Sequence, residues 1–165
     1  MNMGKNTVEQ WEELEARQRI VELVTRRGRA ADAKDPDAIL AEHVPGSGDT
    51  HGIFDGTIED FVEYLRLHHY ARGLYGLQRH TVSNVLVELD SPTSARVESY
   101  HIAYHRLELA DGPRDVLIGG RYLDRATVHA GQWRLCSRSV VYDWSRSHAP
   151  TEQDRRSFND RVKLL

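Results

Sequence analysis

The chain is short of cysteine, of uninterrupted apolar runs and of clustered basic residues, and each shortage removes a class of function. A single cysteine, Cys136, among 165 residues excludes an internal disulfide framework and a Rieske-type Cys/His cluster. With no basic pattern beside it to stabilise a thiolate, Cys136 reads as a small buried hydrophobe. No run approaches the ~18 apolar residues of a membrane span, and Met1 to Asn6 lead into a polar helix rather than an apolar signal core. Lys and Arg number 22 against 25 Asp and Glu, a net charge of -3, and form no long basic block that would seek phosphate backbones or anionic lipid. The expectation is a cytoplasmic protein without nucleic-acid or membrane partners.

Cofactor and metal signals are also missing. Gly119-Gly120 is not followed by a helix, so it serves sheet bending or a close backbone approach rather than a phosphate loop. His101 and His105 lie four apart on a strand, ~13 Å, too far to share an ion bound at ~2.0 Å. His68 and His69 are adjacent on a helix and point in different directions. Neither a metal site nor a bound cofactor is expected.

What is present is a globular composition, 39% hydrophobic and 28% charged, enough for one domain with a core and a pocket. From Thr7 to about Lys34, apolar residues recur at helical spacing (Trp11, Leu14, Ile20, Val21, Val24, Gly28, Ala31), with Thr7 as N-cap and Gln10 three positions on. Asp35-Pro36 stops this helix and opens a second, Asp37 to about His43. Residues 44 to 56, with Pro45 and four glycines, read as a loop with at most one short edge strand. Thr57 caps a third helix ending near Gly73. After Gly76 the period becomes two, giving strands over 77–89, 94–109, 115–129 and 132–143 separated by Ser91-Pro92-Thr93, Asp111-Gly112-Pro113 and Ala130-Gly131. The fold class is therefore α+β. Twist curls four such long antiparallel strands, and the first helix closes the curl into a cone with a central cavity.

Two residues in this plan carry chemistry. Strand alternation puts His80, Val82 and Asn84 on one face, and an imidazole with an unperturbed pKa near ~6.5 becomes a general base once a carboxylate orients it. Asp32 closes the first helix, where a carboxylate meets an unfavourable dipole, a mild penalty that argues for a purpose. Tyr64, His68, Tyr100, Tyr122 and Arg138 are candidates for lining the cavity, with Asn84 as a hydrogen-bonding partner.

The element order, the Arg29-Ala30-Ala31-Asp32 helix end, His80 with Asn84, the strand Gly119-Gly120-Arg121-Tyr122-Leu123-Asp124 and Gly131-Gln132-Trp133-Arg134-Leu135 together resemble the SnoaL-like branch of the nuclear transport factor two-like superfamily over Val8 to Trp144. The resemblance implies a cystatin-like α+β barrel over residues 1–144, a C-terminal extension over 145–165 and a homo-oligomer, trimer or dimer. Members carrying an Asp/His dyad match here at Asp32 and His80. It implies that His80 removes a proton from carbon, Asp32 holds the imidazole, and Arg27 stands where those enzymes have lysine or tyrosine. Arginine can bind a leaving oxygen or oxyanion but is a poor proton donor. Two readings follow: a cofactor-independent lyase or isomerase acting on a small, mostly apolar cyclic substrate, or a non-catalytic binding or assembly module, including a small subunit of a ring-hydroxylating dioxygenase.

Overall fold

The computed structural model describes residues 6–52 and 54–150. Its elements run α1 (Thr7–Asp32), α2 (Pro36–Ala41), β1 (His43–His51), β2 (Phe54–Thr57), α3 (Ile58–Tyr64) continuing as a π-helical turn (Leu65–Tyr70), β3 (Tyr75–Ser91), β4 (Ser94–Leu109), β5 (Gly112–His129) and β6 (Gln132–His148). No helix among the described residues is long and apolar enough to cross a membrane.

α1 begins one residue earlier than the sequence suggests. Asn6, not Thr7, is the N-cap: its side chain accepts from the Glu9 amide at 3.0 Å while Glu9 accepts from the Asn6 amide at 3.1 Å, a reciprocal capping box. One stripe of the helix, Ile20, Leu23, Val24, Arg27 and Gly28, is buried, and pairs such as Glu15–Arg19 at 2.6 Å occupy the solvent side. Lys34, at φ 55°, leaves the helical path. Asp35 then caps α2 by accepting from the Asp37 and Ala38 amides, with Pro36 in the first turn, where its missing N–H costs nothing.

The sheet differs from the expected one in three ways. Six strands, not four, line up in the order β2-β1-β6-β5-β4-β3. The sheet is mixed, because β1 runs parallel to β6. It is curved but unclosed, with β2 and β3 at its edges rather than sealed into a barrel. The segment read as a loop supplies β1 and β2, whose pairing runs from Gly48↔Thr57 to His51↔Phe54. Its strand character was hidden because the buried positions of β1 are His43, Ser47 and Asp49, all polar, so no apolar alternation appears. β6 continues through His148, past the expected start of the C-terminal extension; residues 151–165 of that extension lie outside the described residues.

Two apolar clusters hold the layers together. Ile20, Leu23 and Val24 of α1 pack onto Val87, Ala95, Val97, Ala126, Trp133 and Leu135 of the sheet. Ala30, Ile39, Ile58, Phe61, Val62 and Leu65 join the helices to one another. Between Ser83↔Tyr100 and Leu86↔Glu98 the register of β3 shifts by one residue, so inward positions change from Gln78, His80 and Val82 to Val85, Val87 and Leu89. Asn84 sits in this bulge at φ 49°, a conformation asparagine tolerates better than most residues.

A second register shift on β5 falls between Gly119 and Gly120. A Cβ on Gly120 would overlap the Val141 carbonyl oxygen, which is backbone and cannot swing away, and one on Gly119 would meet the Trp144 indole. Gly120→Ala is therefore expected to cost ~2 kcal/mol or more and to lower Tm by roughly 5 °C. Gly48→Ala, with open space around its Cβ, provides the comparison; equal melting temperatures for the two variants would contradict this account.

Candidate active site

The concave face of the sheet and the helices border a partly open cavity of about 470 Å³. His101, Ala103, Ile118, Tyr122 and Val140 form the sheet side, while Phe61, Tyr64, Leu65, His69 and Tyr70 contribute from α3 and the π-helical turn. Arg27, Gly28 and Ala31 of α1 complete the enclosure next to His80.

Asp32 and His80 meet. The Nδ1 of His80 lies 2.7 Å from Asp32 Oδ1, with side-chain exposures of 14% and 20%, and the imidazole lines the cavity. α1 brings them together by passing close to β3: the Gly28 Cα, one turn before Asp32, faces Val82 and His80. Lys34 donates to the Tyr75 and Gly76 carbonyls, and Gln78 to the Ala31 carbonyl, tying the end of α1 to the start of β3. A hydrogen-bonded Nδ1 leaves Nε2 of His80 for a ligand.

The two arginines are held differently. Arg138 donates from Nε and Nη2 to the two Asp124 oxygens at 2.8 and 2.7 Å, both residues are buried, and the guanidinium lies 4.2 Å over the Tyr122 ring. Arg138 is thus neutralised in place, its pKa raised by Asp124 against the effect of burial. Arg27 donates from Nε to His43 Nε2 at 3.1 Å, and His43 Nδ1 is 3.2 Å from Ser47 Oγ. It forms no salt bridge among the described residues, and burial followed by the proximity of Arg138 brings its pKa down to about 10. It stays charged at neutral pH and faces the cavity without a carboxylate of its own.

Interior imidazoles are kept neutral by burial. Burial, then neighbouring His80, pushes both His101 and His105 down to about 4. Burial likewise lowers His69, and burial with Arg27 and Arg138 nearby lowers His43 far below its usual range. Rings run edge to face from His69 through Tyr75 and His105 to His80, with centroids 4.8, 4.9 and 5.3 Å apart. His101 stacks on Tyr122 at 4.2 Å. Burial raises the Tyr75 and Tyr142 phenols to about 12, so they remain hydrogen-bond donors.

Of the residues singled out from sequence, Asp32, His80 and Arg27 gather at the cavity, and Tyr64, Tyr122 and Arg138 line it. Three do not. Asn84 is turned outward by its own bulge. Tyr100 lies on the outer sheet face at 48% exposure, because the inward residues of β4 are the odd-numbered ones. His68 is exposed on the π-helical turn, its ring against Tyr64 at 4.8 Å. Sequence reading missed His51 and Asp49, which hydrogen-bond at the far side of the cavity; the available signal was Asp-x-His, two residues apart on what proves to be a strand.

A family profile described as a SnoaL-like domain matches residues 12–139. The chain belongs to the SnoaL-like domain family. Solved structures with the same fold include a scytalone dehydratase-like protein of Novosphingobium aromaticivorans (TM-score 0.75, 19% identity, covering 86% of this chain and 93% of that one). The hexachlorocyclohexane dehydrochlorinase LinA-type3 of Novosphingobium barchaimii gives TM-score 0.74 at 14% identity, covering 86% and 96%. Kfla4162 of Kribbella flavida gives 0.69 at 25% identity, covering 79% and 92%. No curated protein matches the chain in sequence.

The depressed histidines make this SnoaL-like domain acid-sensitive. In the folded state His101 and His105 resist protonation until about pH 4, whereas in the unfolded chain they take protons near ~6.5. Between those values the unfolded state binds more protons, so stability is full above ~6.5 and falls as pH drops toward about 4. Urea midpoints measured from pH 7 to pH 4.5 should decline, and a fold-competent His101→Gln variant should show a shallower slope. A flat wild-type profile over that window would contradict the buried, neutral assignment.

Proposed function

We propose that this protein is a cofactor-independent lyase or isomerase that takes a proton from carbon in a small, mostly apolar cyclic substrate. The observation that carries this reading is the 2.7 Å Asp32–His80 contact at the wall of a partly open cavity that the charged Arg27 also lines. His80 Nε2 accepts the proton. Asp32 fixes the tautomer and stabilises the imidazolium. The C–H electron pair moves into the new double bond as the neighbouring group leaves, or into an enolate, and Arg27 N–H groups stabilise the negative oxygen or departing anion. Because Arg27 does not give up its proton, a departing hydroxide must be protonated by the His80 imidazolium or by water. The dehydratase-like and dehydrochlorinase neighbours are compatible with this chemistry. A cavity of about 470 Å³ suits a substrate of one to three fused rings.

We also propose a homo-oligomer, trimer or dimer, built on the outer sheet face, where Leu86, Tyr100, Ile102 and Leu123 are exposed. Light scattering should give a multiple of 18.9 kDa at micromolar concentration, and a monomer there refutes it.

Cyclic secondary alcohols and β-hydroxy ketones screened for loss of water, with uptake of deuterium from heavy water as the general assay, test the catalytic reading. His80→Ala should abolish nearly all loss of water, and Asp32→Asn should fold and lose on the order of 10²-fold or more in kcat. If His80→Ala loses water, and takes up deuterium from every substrate, as fast as the wild type, the dyad is not the base, and a binding or assembly module replaces this reading. Arg27→Ala should lose more than Arg27→Lys if charge alone is required, and equally if the planar fork matters.

A further inference from the structure

The cavity contains a second histidine held by a second carboxylate. Asp49 and His51 are two apart on β1, so both point to the same face of the strand, and the Nδ1 of His51 hydrogen-bonds Asp49 Oδ1. The parallel with Asp32–His80 is close: the ring is 19% exposed, it lines the same cavity, and its Nδ1 is likewise committed to an aspartate, leaving Nε2 available. The ring is fixed from the other side by stacking on Phe61 at 4.3 Å and 15°. Asp49 is fully buried, and its second oxygen has no partner within the described residues; its charge also acts on the nearby Arg27 and Arg138, and its one hydrogen bond goes to this imidazole.

The pairs stand on opposite flanks. β6, β5 and β4 separate β1 from β3 in the sheet, and the concave face carries the stacked His101–Tyr122 pair between them. A flat ring standing in the cavity presents one face toward His80 and the other toward His51.

Resting on the proton-abstraction reading above, we infer that His51–Asp49 is a second base of the same site, so that a proton can be removed from, or returned to, either face of a planar carbonyl compound. The activity this adds is epimerisation at a carbon next to a carbonyl. One imidazole takes the proton, and the C–H pair enters the enolate as the carbonyl pair moves onto oxygen. The other imidazole, having drawn a proton from water, returns it on the opposite face, and the first imidazolium releases its proton to water. No oxidant or cofactor enters the balance. Burial lowers the His51 pKa below its usual value in spite of Asp49, so the ring is neutral at pH 7, the form that accepts a proton.

The test uses the two enantiomers of 1-methyl-2-tetralone as separate probes in heavy water, with deuterium at C1 read by mass spectrometry and configuration by chiral chromatography. The wild type should take up deuterium from both enantiomers and interconvert them. His51→Phe, which keeps the stack on Phe61, and Asp49→Asn should retain exchange of one enantiomer and slow the other at least tenfold, and His80→Ala should do the reverse. Circular dichroism and melting curves check that each variant folds. Exchange of one enantiomer or neither by the wild type overturns the inference, as does a His51→Phe variant that slows both equally or neither. Selective loss in His51→Phe together with an indifferent His80→Ala leaves His51 as a base and removes the role given to His80, so the two proposals fail separately.

Discussion

The seating of α1 on the concave face of the sheet determines where every group in the cavity lies. Its apolar stripe buries Ile20, Leu23 and Val24 against strands β3 to β6, each worth ~1.5–3 kcal/mol for full burial of an aliphatic side chain. That burial fixes the rotation of the helix about its axis. The same stripe, followed one and two turns onward, carries Arg27, Gly28 and Ala31 into the cavity wall and Asp32 to His80. Rotation by a single residue, about 100°, would withdraw the three aliphatic side chains and the two site residues together. Core packing and site geometry are one constraint here.

A consequence is the uneven treatment of charge in the interior. Arg138 and Asp124 form a two-pronged buried pair, closing on each other's hydrogen-bonding capacity. Arg27, three positions after Val24, is delivered into the same region with a neutral His43 as its only hydrogen-bond acceptor among the described residues. A buried cation so weakly compensated is costly to the folded state, and the lowered pKa of Arg27 is the local sign of that cost. Pairing with an anionic oxygen would relieve it. Folding therefore leaves this one position electrostatically unfinished, in the wall of the same cavity as the imidazole that generates negative charge in the proposed reaction.

How much of this was legible depended on whether the buried residues were apolar. α1, β4 and the paired ends of β3, β5 and β6 show the expected periods because their inward residues are Ile, Leu, Val and Ala, and both bounds of β4 agree with the sequence reading. Asp32 and His80 were paired through the family resemblance, and each could be placed because it stands in one of these regular elements. β1 could not be read, since its inward face is His43, Ser47 and Asp49, and with it went the mixed sheet, the strand order and the second histidine pair. Asn84 and Tyr100 fail for a different reason: period-two reasoning assigns a face only up to the next bulge, and it leaves open which parity is inward. β3 changes parity at Asn84, whose positive φ is a backbone fact that no pattern of hydrophobicity reports.

The polar interior of β1 stands behind the cavity wall, bonded to two groups that line it, Arg27 and His51. Both apolar clusters lie beside it, one under α1 at the end of the sheet near Trp133 and Leu135, the other among α2, α3 and the end of α1. Stability is thereby concentrated in two anchors, and the space between them is left to side chains that do not close up: imidazoles kept neutral by burial, phenols kept protonated, and one guanidinium with no salt bridge among the described residues. Had β1 presented Val or Ile at positions 43, 47 and 49, Arg27 would lose its His43 acceptor and His51 its Asp49 partner, and the gain of a few kcal/mol in burial would come at the cost of the groups that orient the cavity wall. The polar residues that hide this strand from inspection are the ones that hold Arg27 and His51 in the cavity wall.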